Sequence, residues 1–151
     1  WFADLFAATY APDCPPEARA TLRHATSIAQ RLLAATTEHR ALHGDLHHDN
    51  IIQTPRGAIA FDAKGVMGNR LYELANAFRN PLGAESSVIQ PAAVKRRADT
   101  WAQSFETTPN ALLEWAAAHG ALSLAWSSEG RFGPKQAQDV RHIDTYLAQI
   151  G

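Results

Sequence analysis

The 151 residues hold one cysteine, Cys14, one methionine, and no apolar run near the roughly 18 residues that a membrane-spanning helix requires. A lone thiol excludes an internal disulfide and any zinc site with two or more cysteine ligands. It suits a reducing compartment, so the cytoplasm is the expected location. No histidine or basic cluster stands beside Cys14 to activate it, and the thiol is expected to be inert. The first residues also lack the basic start and small-residue cleavage site of a signal peptide. Neither sign of charge is in excess: 14 Lys and Arg face 15 Asp and Glu, for a net charge of -1, which removes nucleic acid as a bulk partner. No membrane partner is expected either. Repeats and low-complexity tracts are missing.

With 46% hydrophobic and 19% charged residues, a chain of this size buries enough apolar surface to exclude disorder and predicts one globular domain. The chain opens on Trp1, Phe2, Leu5 and Phe6 without a methionine. That pattern reads as the inside of a helix already under way, so a longer polypeptide is expected. Pro15 and Pro16 open a helix running to about residue 38, its apolar face made by Leu22, Ala25, Ile28, Ala29, Leu32 and Leu33. Residues 51–61 change period and predict a small hairpin, with Pro55 and Gly57 at positions that a type I turn starting at Thr54 favours. A short helix is predicted over 71–80, stopped by Pro81, followed by a connection over 83–91. Further helices are predicted over 92–107, 110–127 and 134–149, with Pro91, Pro109 and Pro134 at their starts. The fold class is therefore mostly α with a small β-hairpin, an α+β domain. Trp101, Trp115 and Trp126 fall in these helices and are expected as core anchors.

The polar residues before the hairpin carry the chemistry. His43-Gly44-Asp45-Leu46-His47-His48-Asp49-Asn50 packs seven polar or turn-forming residues into eight positions between an apolar helix and an apolar strand, which a core does not require. A phosphoryl-transfer enzyme needs a carboxylate to orient the acceptor hydroxyl and take its proton, and oxygen ligands for magnesium. Asp45 and Asn50 have the separation of the Asp and Asn in a kinase catalytic loop. Four residues out at about 3.3 Å each, a tight turn and four residues back bring Asp62 beside Asn50, so the two predict one cation site. A helix cap or polar turn explains Asp45 and Asn50 less well, because it leaves Asp62 unused. A metal-hydrolase site using His43, Asp45, His47, His48 and Asp49 also competes. The H-x-H-x-D-H order is reversed here at positions 45 and 47.

His43, Gly44, Asp45, Leu46 and Asn50 resemble the H-G-D-[IL]-x-x-x-N signature of aminoglycoside phosphotransferases and related small-molecule kinases. The runs Phe61-Asp62-Ala63-Lys64-Gly65-Val66-Met67-Gly68, Tyr72-Glu73-Leu74-Ala75-Asn76 and Phe78-Arg79-Asn80-Pro81 resemble the streptomycin 6-phosphotransferase branch, also described as aminoglycoside/hydroxyurea resistance kinases. Leu122-Ser123-Leu124-Ala125-Trp126-Ser127 strengthens that likeness. The resemblance implies Asp45 as the catalytic carboxylate, His43 as a brace for its loop, and Asn50 and Asp62 as Mg2+ ligands with ATP as phosphoryl donor. Gly44 and Glu73 would support the catalytic loop, Glu73 standing where the family usually has the shorter Asp. No glycine-rich phosphate loop, strand lysine or paired helix glutamate precedes His43. The resemblance is thus to the C-terminal lobe of a protein-kinase-like fold, with ATP reached through an N-terminal lobe outside residues 1–151.

The implied acceptor is a small-molecule hydroxyl, first a streptomycin-like aminoglycoside. His47, Lys64, Trp126 and Glu129 are candidates for its site, His47 and His48 being left out of the metal set. Glu114 and Asp139 are further carboxylates that a polycation could use. Choline, homoserine or a sugar are alternative acceptors, since specificity lies in the variable helices. A non-catalytic kinase-like binding module is the alternative outside enzymes.

Overall fold

The computed structural model describes every residue except Leu82 and Glu129. Its chain order is α1 (Phe2–Ala7), α2 (Pro16–Ala35), β1 (Arg40–Leu42), β2 (Ile51–Thr54), β3 (Gly57–Ala60), β4 (Val66–Gly68), α3 (Glu85–Val88), α4 (Pro91–Ser104), α5 (Pro109–Ser127) and α6 (Pro134–Leu147). Among the described residues, three 3-10 turns, His48–Asn50, Arg70–Leu74 and Asn76–Arg79, link the strands to the helices. The architecture is mostly helical with small antiparallel sheets.

Helix α5 is the axis. Residues from Trp115 to Leu122 are buried on every side, the pattern of a helix enclosed by neighbours rather than lying on a surface. Around it pack α1, α2, α4 and α6. Helix α2 contributes Ala18, Leu22, Ala25 and Ala29 at steps of four, three and four, so one stripe faces the core. Helix α6 presents Val140, Ile143 and Tyr146 in the same way. Gly120 lets α5 and α6 approach closely: a Cβ there would lie 2.8 Å from Ile143 Cγ1.

Among the described residues, the strands form two separate pairs. β2 and β3 make the expected hairpin, with Ile51 opposite Ala60 and Thr54 opposite Gly57. Thr54 Oγ1 closes its turn by donating to the Gly57 carbonyl at 2.8 Å and accepting from the Arg56 N–H at 3.2 Å. β1 and β4 form a second antiparallel pair that brackets the polar loop and the hairpin, with Leu42 opposite Val66.

The helix predicted over 71–80 is instead the pair of 3-10 turns. The side chains there explain the tighter winding, because residues three apart eclipse in a 3-10 helix. Glu73, Asn76 and Arg79 form one polar row, all three engaged with other elements. Tyr72, Ala75 and Phe78 form a buried row beside it. The connection expected over 83–91 holds the one-turn helix α3. Helix α4 stops earlier than predicted, where Glu106 takes φ 47° and the Thr107 N–H returns to the Ala102 carbonyl at 3.0 Å.

Candidate active site

The polar loop between β1 and the hairpin is held by its backbone. Glu73 accepts the His43 N–H at 2.8 Å on Oε2 and the Gly44 N–H at 3.3 Å on Oε1. Hydrogen bonds to an ionised carboxylate are the stronger kind, so this one side chain fixes two consecutive peptides. Gly44 has φ +80°, and a Cβ there would stand 2.7 Å from Val66 Cγ2. The loop passes β4 too closely for any side chain. His43 braces the other side: its Nδ1 accepts the Asp45 N–H at 3.3 Å, which leaves Nε2 to donate to the Phe61 carbonyl at 2.6 Å. The Lys64 N–H donates to the His43 carbonyl at 2.7 Å. The imidazole thereby ties the loop to the far end of the hairpin.

Asp45 sits at the centre. Its Oδ1 accepts a hydrogen bond from Asn76 Nδ2 at 2.7 Å. Its Oδ2 lies 3.8 Å from the Lys64 ammonium. Asn50, largely buried, donates from Nδ2 to the Asp45 carbonyl at 2.9 Å, so its Oδ1 is the oxygen left for another partner. The Phe61 N–H donates to the Asn50 carbonyl at 3.0 Å, continuing the hairpin ladder and bringing Asp62 back beside Asn50. Asp62 takes φ +58°, a left-handed conformation that turns the chain out of the strand. Lys64 Nζ donates to Asp62 Oδ2 at 3.0 Å, and this bond holds the lysine pKa above its ordinary value. His47 stands nearby, with Nε2 3.8 Å from Asp45 Oδ1 and Nδ1 3.7 Å from Asp49 Oδ2.

A cleft of about 440 Å³ opens in front of Asp45, lined by Trp1 and Asp4 from the N-terminal segment, Lys64, Asn76, and His119, Ser123 and Trp126 from α5. Trp126 is 45% exposed and donates from Nε1 to Asp4 Oδ2 at 2.8 Å. The Trp1 and Trp126 rings meet edge to face at 5.4 Å. Carboxylates and indole faces together form the chemistry that receives an organic cation.

The family model for aminoglycoside/hydroxyurea antibiotic resistance kinases matches residues 1–130. The chain belongs to that kinase family. A streptomycin 3''-kinase of Klebsiella pneumoniae is 36% identical over 132 residues, which cover 83% of this chain and 46% of that protein. The chain thus spans about half the length of that relative. No solved structure matches it.

Membership of a kinase family implies ATP, with Mg2+ the typical cation, and the residues at the loop fit such an ion. The Asn50 amide oxygen and the Asp62 carboxylate are hard oxygen donors of the kind magnesium takes. The Lys64 ammonium against Asp62 and near Asp45 shows that positive charge is already favoured there. His47, His48 and Asp49 also group their ligand atoms within 4.8 Å, but two of the three are exposed.

The structure brings Asp45, His43, Gly44, Glu73, Asn50, Asp62, His47 and Lys64 together at the loop, with Trp126 across the cleft. Trp126 corrects one expectation, since it lines the opening rather than anchoring the core; Trp115 alone of the three is fully buried. Glu114 is not in the cleft but pairs with Arg31 at 2.6 Å, joining α2 to α5. Asp139 is buried against Arg79 at 2.7 Å, with its pKa raised by burial although the guanidinium opposes the shift. Both are spent on packing. Glu129 lies outside the described residues. Sequence reasoning missed Asp4, Asn76, His119 and Ser123. A signal existed for His119, a solitary histidine in the apolar run Ala116–Ala118 and Gly120–Leu122 of α5.

Proposed function

We propose that residues 1–151 form the catalytic-loop and acceptor-binding C-terminal lobe of an ATP-dependent phosphotransferase that phosphorylates a hydroxyl of a streptomycin-like aminoglycoside. The carrying observation is the Asp45 carboxylate, oriented by Asn76 at the wall of a cleft that also offers Asp4, Trp1 and Trp126. Family membership and the likeness to a streptomycin kinase support the same reading.

The acceptor docks with its cationic groups toward Asp4 and the two indoles and one hydroxyl toward Asp45. The carboxylate orients that hydroxyl and takes its proton as the oxygen forms a bond to the γ-phosphorus and the bond from phosphorus to the β–γ bridging oxygen breaks, releasing ADP. Asn50 and Asp62 would hold magnesium, which supplies charge neutralisation for the β- and γ-phosphates when bound. Glu73 and His43 keep the loop in register with the hairpin, and Lys64 stands where a phosphate oxygen would meet it. The exposed apolar side chains Ile52, Ile59, Phe61 and Met67 offer a face for the nucleotide and its N-terminal lobe. ATP as phosphoryl donor fits a cytoplasmic location for the proposed enzyme.

The test is acceptor-dependent ADP release by the full-length polypeptide containing this chain, with Mg-ATP and a panel of streptomycin, choline, homoserine and sugars. Streptomycin should stimulate release, and Asp45→Asn should lower kcat by about 100-fold or more, the usual worth of a general base. Stimulation by another alcohol alone would move the substrate assignment. An unchanged rate in Asp45→Asn would remove the base.

A further inference from the structure

Helix α5 is apolar where it passes behind the catalytic loop, except for His119, which is 6% exposed. An imidazole in such a place must have partners for both ring nitrogens. Nδ1 lies 2.9 Å from the Tyr72 hydroxyl, and Nε2 lies 3.3 Å from Asn76 Oδ1. The other end of the Asn76 amide is the Nδ2 that reaches Asp45 Oδ1 at 2.7 Å. Four side chains from three segments therefore form one continuous line ending on the carboxylate.

The direction of each bond follows from the one before it. An ionised carboxylate only accepts, so Asn76 must face Asp45 with its NH2 and His119 with its oxygen. The amide oxygen only accepts, so the His119 proton belongs on Nε2. A neutral imidazole then has Nδ1 as acceptor, and Tyr72 must donate its O–H to it. Burial favours the two protonation states this requires, lowering the His119 pKa to about 3 and raising that of Tyr72. Turning the Asn76 amide over would set its carbonyl against the carboxylate and its NH2 against Nε2–H, breaking both bonds.

We propose that Tyr72, His119 and Asn76 are positioning residues that decide which oxygen of Asp45 receives the acceptor proton. Asn76 occupies Oδ1, and Oδ2 is the oxygen left for the hydroxyl. The proposal rests on the reading of Asp45 as the base. Asn76 meets Asp45 directly, on the oxygen that does not take the proton, and His119 and Tyr72 act through Asn76. If Tyr72 and His119 served packing alone, ring volume would matter and hydrogen-bond polarity would not. The relay requires the reverse.

That contrast sets the experiment, made on the full-length polypeptide with streptomycin and Mg-ATP. Asn76→Leu and His119→Phe should lower kcat by about 10- to 100-fold, as misplacement of a reacting group does, with KM for Mg-ATP changed by less than about 2-fold. His119→Gln, whose amide can present an N–H near the Nε2 position, should recover kcat to within about 5-fold of wild type. Equal rates for His119→Phe and His119→Gln, or rates that follow melting temperature across the set, would overturn the relay. The second readout needs no turnover. Nitrogen-15 NMR of the wild type should show His119 protonated on Nε2 and bare on Nδ1, and Asp45→Asn should shift the Asn76 side-chain amide. A proton on Nδ1 sinks the relay even if phosphotransfer is observed. Absence of ADP release with the Nε2 proton in place sinks the reading of the protein as a streptomycin phosphotransferase and leaves the hydrogen-bonded line itself standing.

Discussion

Gly44 shows how tightly one position can be specified. Its φ of +80° lies where a Cβ is strained, and the space a methyl would need is taken by Val66 Cγ2 at 2.7 Å and Trp1 at 3.4 Å. Gly44→Ala should therefore cost about 1–2 kcal/mol from the left-handed backbone alone, with more from the contact. Urea denaturation checks the stability loss, and kcat should fall alongside it because Asp45 is the next residue. The clustering of the loop residues was legible because spacing carries it: Asp45 and Asn50 sit five apart, and the hairpin pairs Asn50 with Phe61, the neighbour of Asp62. Glu73 was legible from resemblance alone, and its extra methylene over Asp is taken up in reaching two peptide N–H groups at once. Glu114 and Asp139 were misread for a plain reason. A carboxylate in a sequence does not announce a partner 83 or 60 residues away, and these two had Arg31 and Arg79.

Among the elements, the hairpin was readable because Thr54, Pro55 and Gly57 state its turn, whereas the β1–β4 pair was not. Each of those strands has three residues, too few for an alternation to show, and they pair across the whole polar loop. The helix predicted over 71–80 failed on period. A polar residue every third position, at Glu73, Asn76 and Arg79, fits 3-10 winding better than a 3.6-residue turn, yet over so short a span the two patterns nearly coincide. Helix α5 carries a titration of its own. His119 has a folded pKa of about 3, below its unfolded value near 6.5, so the native state stays neutral where the unfolded chain binds a proton. The associated stability is complete above pH 6.5 and lost progressively as pH falls toward 3. At pH 5 the loss is about 2 kcal/mol. Chemical denaturation at pH 7 and pH 5 should show wild type losing about that much more than His119→Gln. Equal losses would mean that His119 takes up its proton in the folded state.

On the scale of the whole molecule, the helices serve as a frame that presents one loop. Arg79 ties the 3-10 segment to α5 through Ser123 and to α6 through Asp139, so the row that begins at the polar loop ends in the helical core. The N-terminal helix α1 then lies across the front and completes the cleft with Asp4 and the preceding Trp1. The meeting of Trp1 and Trp126 at that opening has an optical consequence. Trp115 is enclosed at 2% exposure, while these two indoles are each 45% exposed. Emission should therefore divide into a blue component from the interior and a red component from the cleft mouth. A cationic acceptor entering between Asp4 and the rings should dim or shift the red component only, and Trp126→Phe should remove most of that response. Under the proposed function, these two indoles report acceptor occupancy without any label.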